Sequence, residues 1–445
     1  MATSMNRWTR RGFLQTTAAA TAAFGLPDWF REEGAGHAVA DETSPNERPR
    51  IALIGCGGMG TGDAKNAQRF GDVVAVCDVD KGHLEKATAT FQGAKGYQDY
   101  REVCDLPNVD VVLNGTPDHW HTLVNLRAVR SGKDVYSEKP LTLTIDEGKR
   151  LVAAVKETGR ILQTGSQQRS DARFRLACEL VRNGRVGKVR KVDVWLPAGF
   201  NEGPFSPEPV RDGLDWDVWL GQAPKVEYTP KRCHLYFRYW YDYSGGTMTD
   251  WGAHHNDIAL WGLGKDRSGP TSIEGRPLVE PIPGGYTAAS EYDVKYVYDD
   301  GVEHHCRSTT SNTFSGGVAR EPNPGERHHG VRFEGSAGWV YVTRGKLEAS
   351  DPKLLEESLP SDAERLGASD DHMGNFFECV KSRKTPICDA ETGHRSASCC
   401  HLGVLAIRLG RKLTWNPETE TFEGDEEANG MLAREMRKPY TYEDV

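Results

Sequence analysis

The chain has 445 residues, 38% apolar and 27% charged, with a formal net charge of −9 at pH 7. That length accommodates two domains with sizeable cores. The acidic balance argues against nucleic acid or an anionic membrane as the main partner, and no run of 18 apolar residues offers a transmembrane helix.

At the N-terminus, Thr9-Arg10-Arg11-Gly12-Phe13-Leu14 resembles a twin-arginine export signal. A weakly hydrophobic, Ala/Thr-rich segment runs from Phe13 to Leu26, and Ala38-Val39-Ala40 is the candidate cleavage site. Residues 1–47 are therefore set aside as signal and linker, and the expected location is periplasmic.

Ile51 to Ile54 reads as a buried strand, and it runs into glycines at 55, 57 and 60. In this G-x-G-x-x-G spacing Gly55 makes the sharp exit and Gly57 lets a pyrophosphate approach the backbone. Gly60 lets the next helix pack closely on the sheet. With Gly58 and Met59 they form the expected phosphate turn, facing the free N–H groups of a helix N-terminus. Val73 to Asp78 is the second strand. Its terminal acid lies 18 residues beyond Gly60 (78 − 60), placed to bind a ribose 2′-hydroxyl and repel a 2′-phosphate. NAD is thus favoured over NADP. An exported enzyme has no free pool of NAD to draw on, so the cofactor is expected to be tightly held and recycled.

A helix is predicted from Lys81 to Phe91 and a strand from Val109 to Asn114, which delivers Thr116, Pro117, Asp118, His119 and His121 to the crevice beyond the strand ends. A helix to Ser131, the strand Asp134–Ser137 and the tripeptide Glu138-Lys139-Pro140 follow. A helix from Ile145 to Thr158 and the strand Arg160–Gln163 complete a doubly wound parallel sheet over 48–166. The pattern changes at 167–445, where an α+β domain with a large, mostly antiparallel open sheet is expected. It opens on Gln167, Gln168 and Arg169, then a helix from Arg173 to Asn183 and a strand from Val189 to Trp195. An aromatic-rich insertion spans 197–243 and serves either to stack on sugar rings or as a satellite core or subunit interface. Strands are predicted at Glu291–Tyr298, Glu303–Thr309, His329–Glu334 and Trp339–Thr343, and helices at Asp371–Ser382 and Thr392–Leu409.

Asp250, His254 and Asp257 are spaced i, i+4, i+7, so on one helix they share a face, while His255 points about 100° away. A carboxylate beside an imidazole suits a base that takes a hydroxyl proton as hydride leaves the same carbon. An ammonium at Lys139, at the end of a strand, suits stabilising a developing alkoxide. The histidine pairs, His119/His121 and His254/His255 included, match no zinc spacing such as H-E-x-x-H, and no metal is expected. The ten cysteines form no C-x-x-C and are read as reduced and structural.

The glycine turn, Glu138-Lys139-Pro140 and the run Gly245 to Asp257 together resemble the Gfo/Idh/MocA oxidoreductases, which include inositol dehydrogenase and glucose–fructose oxidoreductase. The resemblance covers about 48–430. Gly393-His394-Arg395-Ser396 and Gly424 to Asn429 look like its exported, twin-arginine subgroup. It implies Lys139, Asp250 and His254 as the catalytic set, and Asp118, His121 and Glu138 as cofactor contacts. It also implies a dimer or tetramer assembled through the open sheet face. Gln168, Arg169, His255 and Asp257 are the candidate substrate contacts. The expected activity is hydride transfer between a sugar, cyclitol or glycoside and the nicotinamide. The rival readings are a redox-neutral, NAD-dependent glycoside hydrolase and a non-catalytic carbohydrate-binding protein.

Overall fold

The computed structural model describes residues 26–27, 29–30, 48–309 and 329–443. The twin-arginine motif and the candidate cleavage site lie outside the described residues.

Six short strands make the first sheet: β1 (Arg50–Ile54), β2 (Asp72–Cys77), β3 (Lys95–Tyr97), β4 (Val111–Asn114), β5 (Asp134–Ser137) and β6 (Leu162–Thr164). Their order is β3-β2-β1-β4-β5-β6, and all pairings are parallel. Direction of winding reverses between β1 and β4, which opens a crevice beyond their carboxyl ends. The strand β3 escapes a sequence reading because Lys-Gly-Tyr carries no apolar run. The helix Ile145–Thr158 matches expectation to the residue because its ends are chemically marked. Thr144 and Glu147 form a reciprocal capping box, and Gly159 closes the helix at φ +62°.

The second sheet has nine strands: β7 (Val189–Pro197), β8 (Ser272–Pro277), β9 (Tyr292–Val297), β10 (Glu303–Thr309), β11 (Gly330–Gly335), β12 (Trp339–Thr343), β13 (Lys346–Ala349), β14 (Leu413–Asn416) and β15 (Thr421–Phe422). Their order is β13-β12-β11-β7-β10-β9-β8-β14-β15. Only β7 and β10 run parallel among these pairs; the rest are antiparallel. Burial alternates along β9 and β10, the mark of one covered face. The covered face packs on the helices Ala172–Arg182, Gly252–Leu263 and Ala390–Leu409. The other carries ion pairs such as Arg307–Asp293 and Arg332–Asp193.

Three further features position the site. The insertion forms an aromatic cluster around Trp216, Trp219, Trp240 and Tyr243, joined by Tyr286 from beyond it. It leans on the first domain: the Trp219 carbonyl accepts from His119 Nε2 and Trp120 Nε1 at 3.0 and 2.9 Å. Near the C-terminus, Met436, Tyr440 and Tyr442 return to the first domain's core. Trp29 and Phe30, set aside as linker in the sequence reading, pack instead on the second core, with Phe30 under the Arg175 guanidinium. All ten cysteines are buried free thiols.

Candidate active site

A cleft of about 470 Å³ runs from the glycine turn to Lys139. Gly55 sits at φ +88°, and a Cβ on Gly60 would run into the Gly55 carbonyl. Nothing lies within 4 Å of where Cβ atoms of Gly57 or Gly58 would project. The helix Gly58–Ala67 begins at Gly57 with no side chain capping it, so its first N–H groups are left for an anion. This turn therefore fits a diphosphate. The Asp78 carboxylate is held at the end of β2 by the N–H groups of Cys56 (2.8 Å) and Asp80 (2.9 Å), which orients it for a ribose diol.

Lys139 lines the same cleft, and its Nζ donates to Asp250 Oδ1 at 2.6 Å. Arg238, from the insertion, approaches that carboxylate at 3.4 Å. Burial alone would raise the Asp250 pKa, but the ammonium and guanidinium outweigh it and hold the carboxylate well below its usual range. His254 is driven the other way. Burial, then the charges of Lys139 and Arg344, keep its imidazole neutral far below its ordinary pKa. Its Nδ1 is buried with no hydrogen-bond partner, and His254 lies behind the residues that line the cleft.

A sequence model described as an oxidoreductase family with an NAD-binding Rossmann fold matches residues 49–166, and that family's C-terminal α/β domain matches 178–316 and 324–442. The chain belongs to the Gfo/Idh/MocA oxidoreductase family. It is thus an NAD-dependent oxidoreductase. The chain is 27% identical over 341 residues to scyllo-inositol 2-dehydrogenase (NAD(+)) of Bacillus subtilis (strain 168), covering 76% of this chain and 88% of that protein. It is 33% identical over 141 residues to Myo-inositol 2-dehydrogenase of Thermotoga maritima, covering 31% of this chain and 42% of that protein. Its fold is similar to levoglucosan dehydrogenase in complex with NADH and levoglucosan. There the TM-score is 0.61, at 16% identity, with 83% of this chain and 99% of that chain covered. It is also similar to the WlbA dehydrogenase from Bordetella pertussis in complex with NADH and UDP-GlcNAcA. That match has a TM-score of 0.60 at 18% identity, again over 83% and 99% of the two chains.

Within this family member, Gly55, Gly57, Gly58, Met59, Asp78, Thr116, Pro117, Asp118, His121, Glu138 and Lys139 line one cleft, and Gly60 packs beneath it. Asp118 is anchored by the Ser244 hydroxyl at 2.5 Å. Both ring nitrogens of His121 face carbonyls, of Pro140 (2.7 Å) and Thr116 (2.9 Å). Gln168 satisfies both its neighbours when its nitrogen donates to the His254 carbonyl (2.9 Å) and its oxygen accepts from Arg344 Nε (3.2 Å).

Asp250, His254 and Asp257 do not lie on one unbroken helix. Asp250 ends the short helix Thr247–Asp250, and the next helix, Gly252–Leu263, is buried on nearly every side. A helix without a solvent face sends its polar groups to separate partners. Asp257 forms a buried bidentate pair with Arg169, 2.8 Å at both contacts. The His255 ring stacks on Trp251 and meets His329 Nδ1 at 3.1 Å. Arg169, Asp257 and His255 are thus all buried and make these contacts within the protein. The Asp250 carboxylate holds the Lys139 ammonium; no hydrogen bond joins it to the His254 ring among the described contacts.

Sequence reasoning missed Arg238, hidden among the insertion's aromatics, and Asp63. Burial, then Glu138, raises the Asp63 carboxyl to about 9. Its position one helical turn past Gly60 was the available signal.

Proposed function

We propose that this protein is an exported oxidoreductase that moves hydride between a hydroxyl-bearing carbon of a sugar, cyclitol or glycoside and a tightly held NAD. The observation that carries the reading is the Lys139–Asp250 contact at the end of the glycine-turn cleft. NAD, when bound, supplies the hydride acceptor. Lys139 donates a hydrogen bond to the substrate hydroxyl and stabilises its oxygen as negative charge develops. Asp250, itself approached by Arg238, fixes the ammonium in place. His254, whose imidazole is kept neutral, receives the hydroxyl proton.

The inositol and levoglucosan dehydrogenases among the similar proteins support a polyhydroxylated ring as substrate. Arg10 and Arg11 support export, and the charged open sheet face supports assembly of identical chains. The insertion's grip on the first domain favours, as a second reading, a hydride that returns within one cycle, as redox-neutral glycoside cleavage requires.

Lys139→Met and His254→Ala, purified with bound dinucleotide intact, are expected to lose activity by roughly 10²–10⁴-fold on sugars and cyclitols. A wild-type rate in either variant overturns the assignment. Sugar released from an aryl glycoside without accumulating NADH decides for the second reading.

A further inference from the structure

A second constellation lies where the insertion meets the first domain. Asp80 caps the helix Lys81–Thr90, and its Oδ1 accepts from Gly82 N at 2.9 Å. Its Oδ2 is buried and paired with the Arg211 guanidinium. That oxygen faces His234 Nε2 at 3.2 Å and His83 Nδ1 at 3.9 Å. The three atoms all lie within 4.8 Å of one another. His83 is local to Asp80, whereas His234 comes from the insertion. His234 reaches the site at φ +53°, a left-handed conformation uncommon outside glycine. The Arg211 guanidinium lies against the same carboxylate and donates to His234 Nε2 at 2.8 Å.

We propose that Asp80 Oδ2, His83 Nδ1 and His234 Nε2 bind a divalent cation of the zinc class, stapling the insertion to the nucleotide-binding domain beside Asp78. Two imidazoles and one carboxylate are a donor set for Zn²⁺ and its neighbours. Tetrahedral bonds of about 2.0–2.1 Å put ligand atoms roughly 3.3 Å apart, so the observed spacings need only small side-chain rotations. His83 and His234 also line the cleft, which leaves a fourth position on the cleft side. Arg211 brings a single positive charge to the acceptors a dication would use. Its side chain is 42% exposed, so it can leave for solvent. The site is invisible in sequence because His234 lies 151 residues beyond His83 (234 − 83).

The test is titration of chelator-treated full-length protein with Zn²⁺, and with Co²⁺ read by its visible absorption. Saturable binding of a single equivalent in the micromolar range or tighter is expected. His83→Ala and His234→Ala should each weaken it at least ~10-fold, and Arg211→Ala should tighten it. Absence of saturable binding in both wild type and Arg211→Ala overturns the site, as does binding that neither histidine variant weakens. The staple also rests on the cofactor reading above, because it predicts that Zn²⁺ slows loss of bound dinucleotide. Metal affinity does not depend on that reading, so the two fail separately.

Discussion

Lys139 and Asp250 come from different domains, and their 2.6 Å contact sets what each can do. The carboxylate stays ionised, and the ammonium is held against it. Their chemistry was legible as residue types in two short motifs, because such motifs concentrate it locally. The helix Gly252–Leu263 departs from a one-faced pattern for a physical reason. A shared-face argument presumes one apolar side and one wet side, and nearly all of this helix is buried. Asp257 tests the distinction. Asp257→Asn leaves the Arg169 guanidinium buried with only Asp266, at 3.2 Å, and should cost at most about 3–5 kcal/mol of stability. Thermal unfolding should show the loss while the KM for sugar stays unchanged. A raised KM in a protein of normal stability would restore Asp257 as a substrate contact.

Among the elements, the strands with continuous apolar runs and the helix with a capping box were readable, whereas β3, β8, β13, β14 and β15 were not. Of these, β3, β13 and β15 are edge strands and β14 sits next to one, and their pairing partners, not their own sequence, make them strands. The insertion at 197–243 left two readings open, sugar stacking or a satellite core. Its rings pack mostly on each other, and Trp219 and Phe237 also wall the cleft. Trp216 stacks on Trp219 at 4.8 Å and meets Tyr228 edge-on at 5.2 Å. Trp216→Ala should weaken the insertion by about 3–5 kcal/mol. The expected readout is faster dissociation of bound dinucleotide, followed by its absorbance. An unchanged dissociation rate would mean that the insertion does not retain the cofactor.

Across the whole molecule, histidines are an unusual liability. Burial holds His119 and His304 down to about 3, and His372 and His401 to about 4. In the unfolded chain each titrates near its ordinary value of about 6.5. Below that value the unfolded chain binds protons that the folded one refuses. Their contribution to stability is therefore complete above pH ~6.5 and shrinks as the pH falls toward 4. The slope approaches about 1.4 kcal/mol per pH unit for each histidine. Melting temperature measured from pH 8 down to 4.5 should fall steeply in the lower half of that range. A flat profile would mean that these rings are not shielded as described.

The ten walled-in thiols give the molecule a built-in clock. A maleimide dye finds nothing to alkylate while the chain is closed, so each labelling event records an opening. Colour gained over days in storage would read directly as the rate of spontaneous unfolding. The same shielding means that an oxidising compartment offers the folded chain no opportunity for scrambled cross-links.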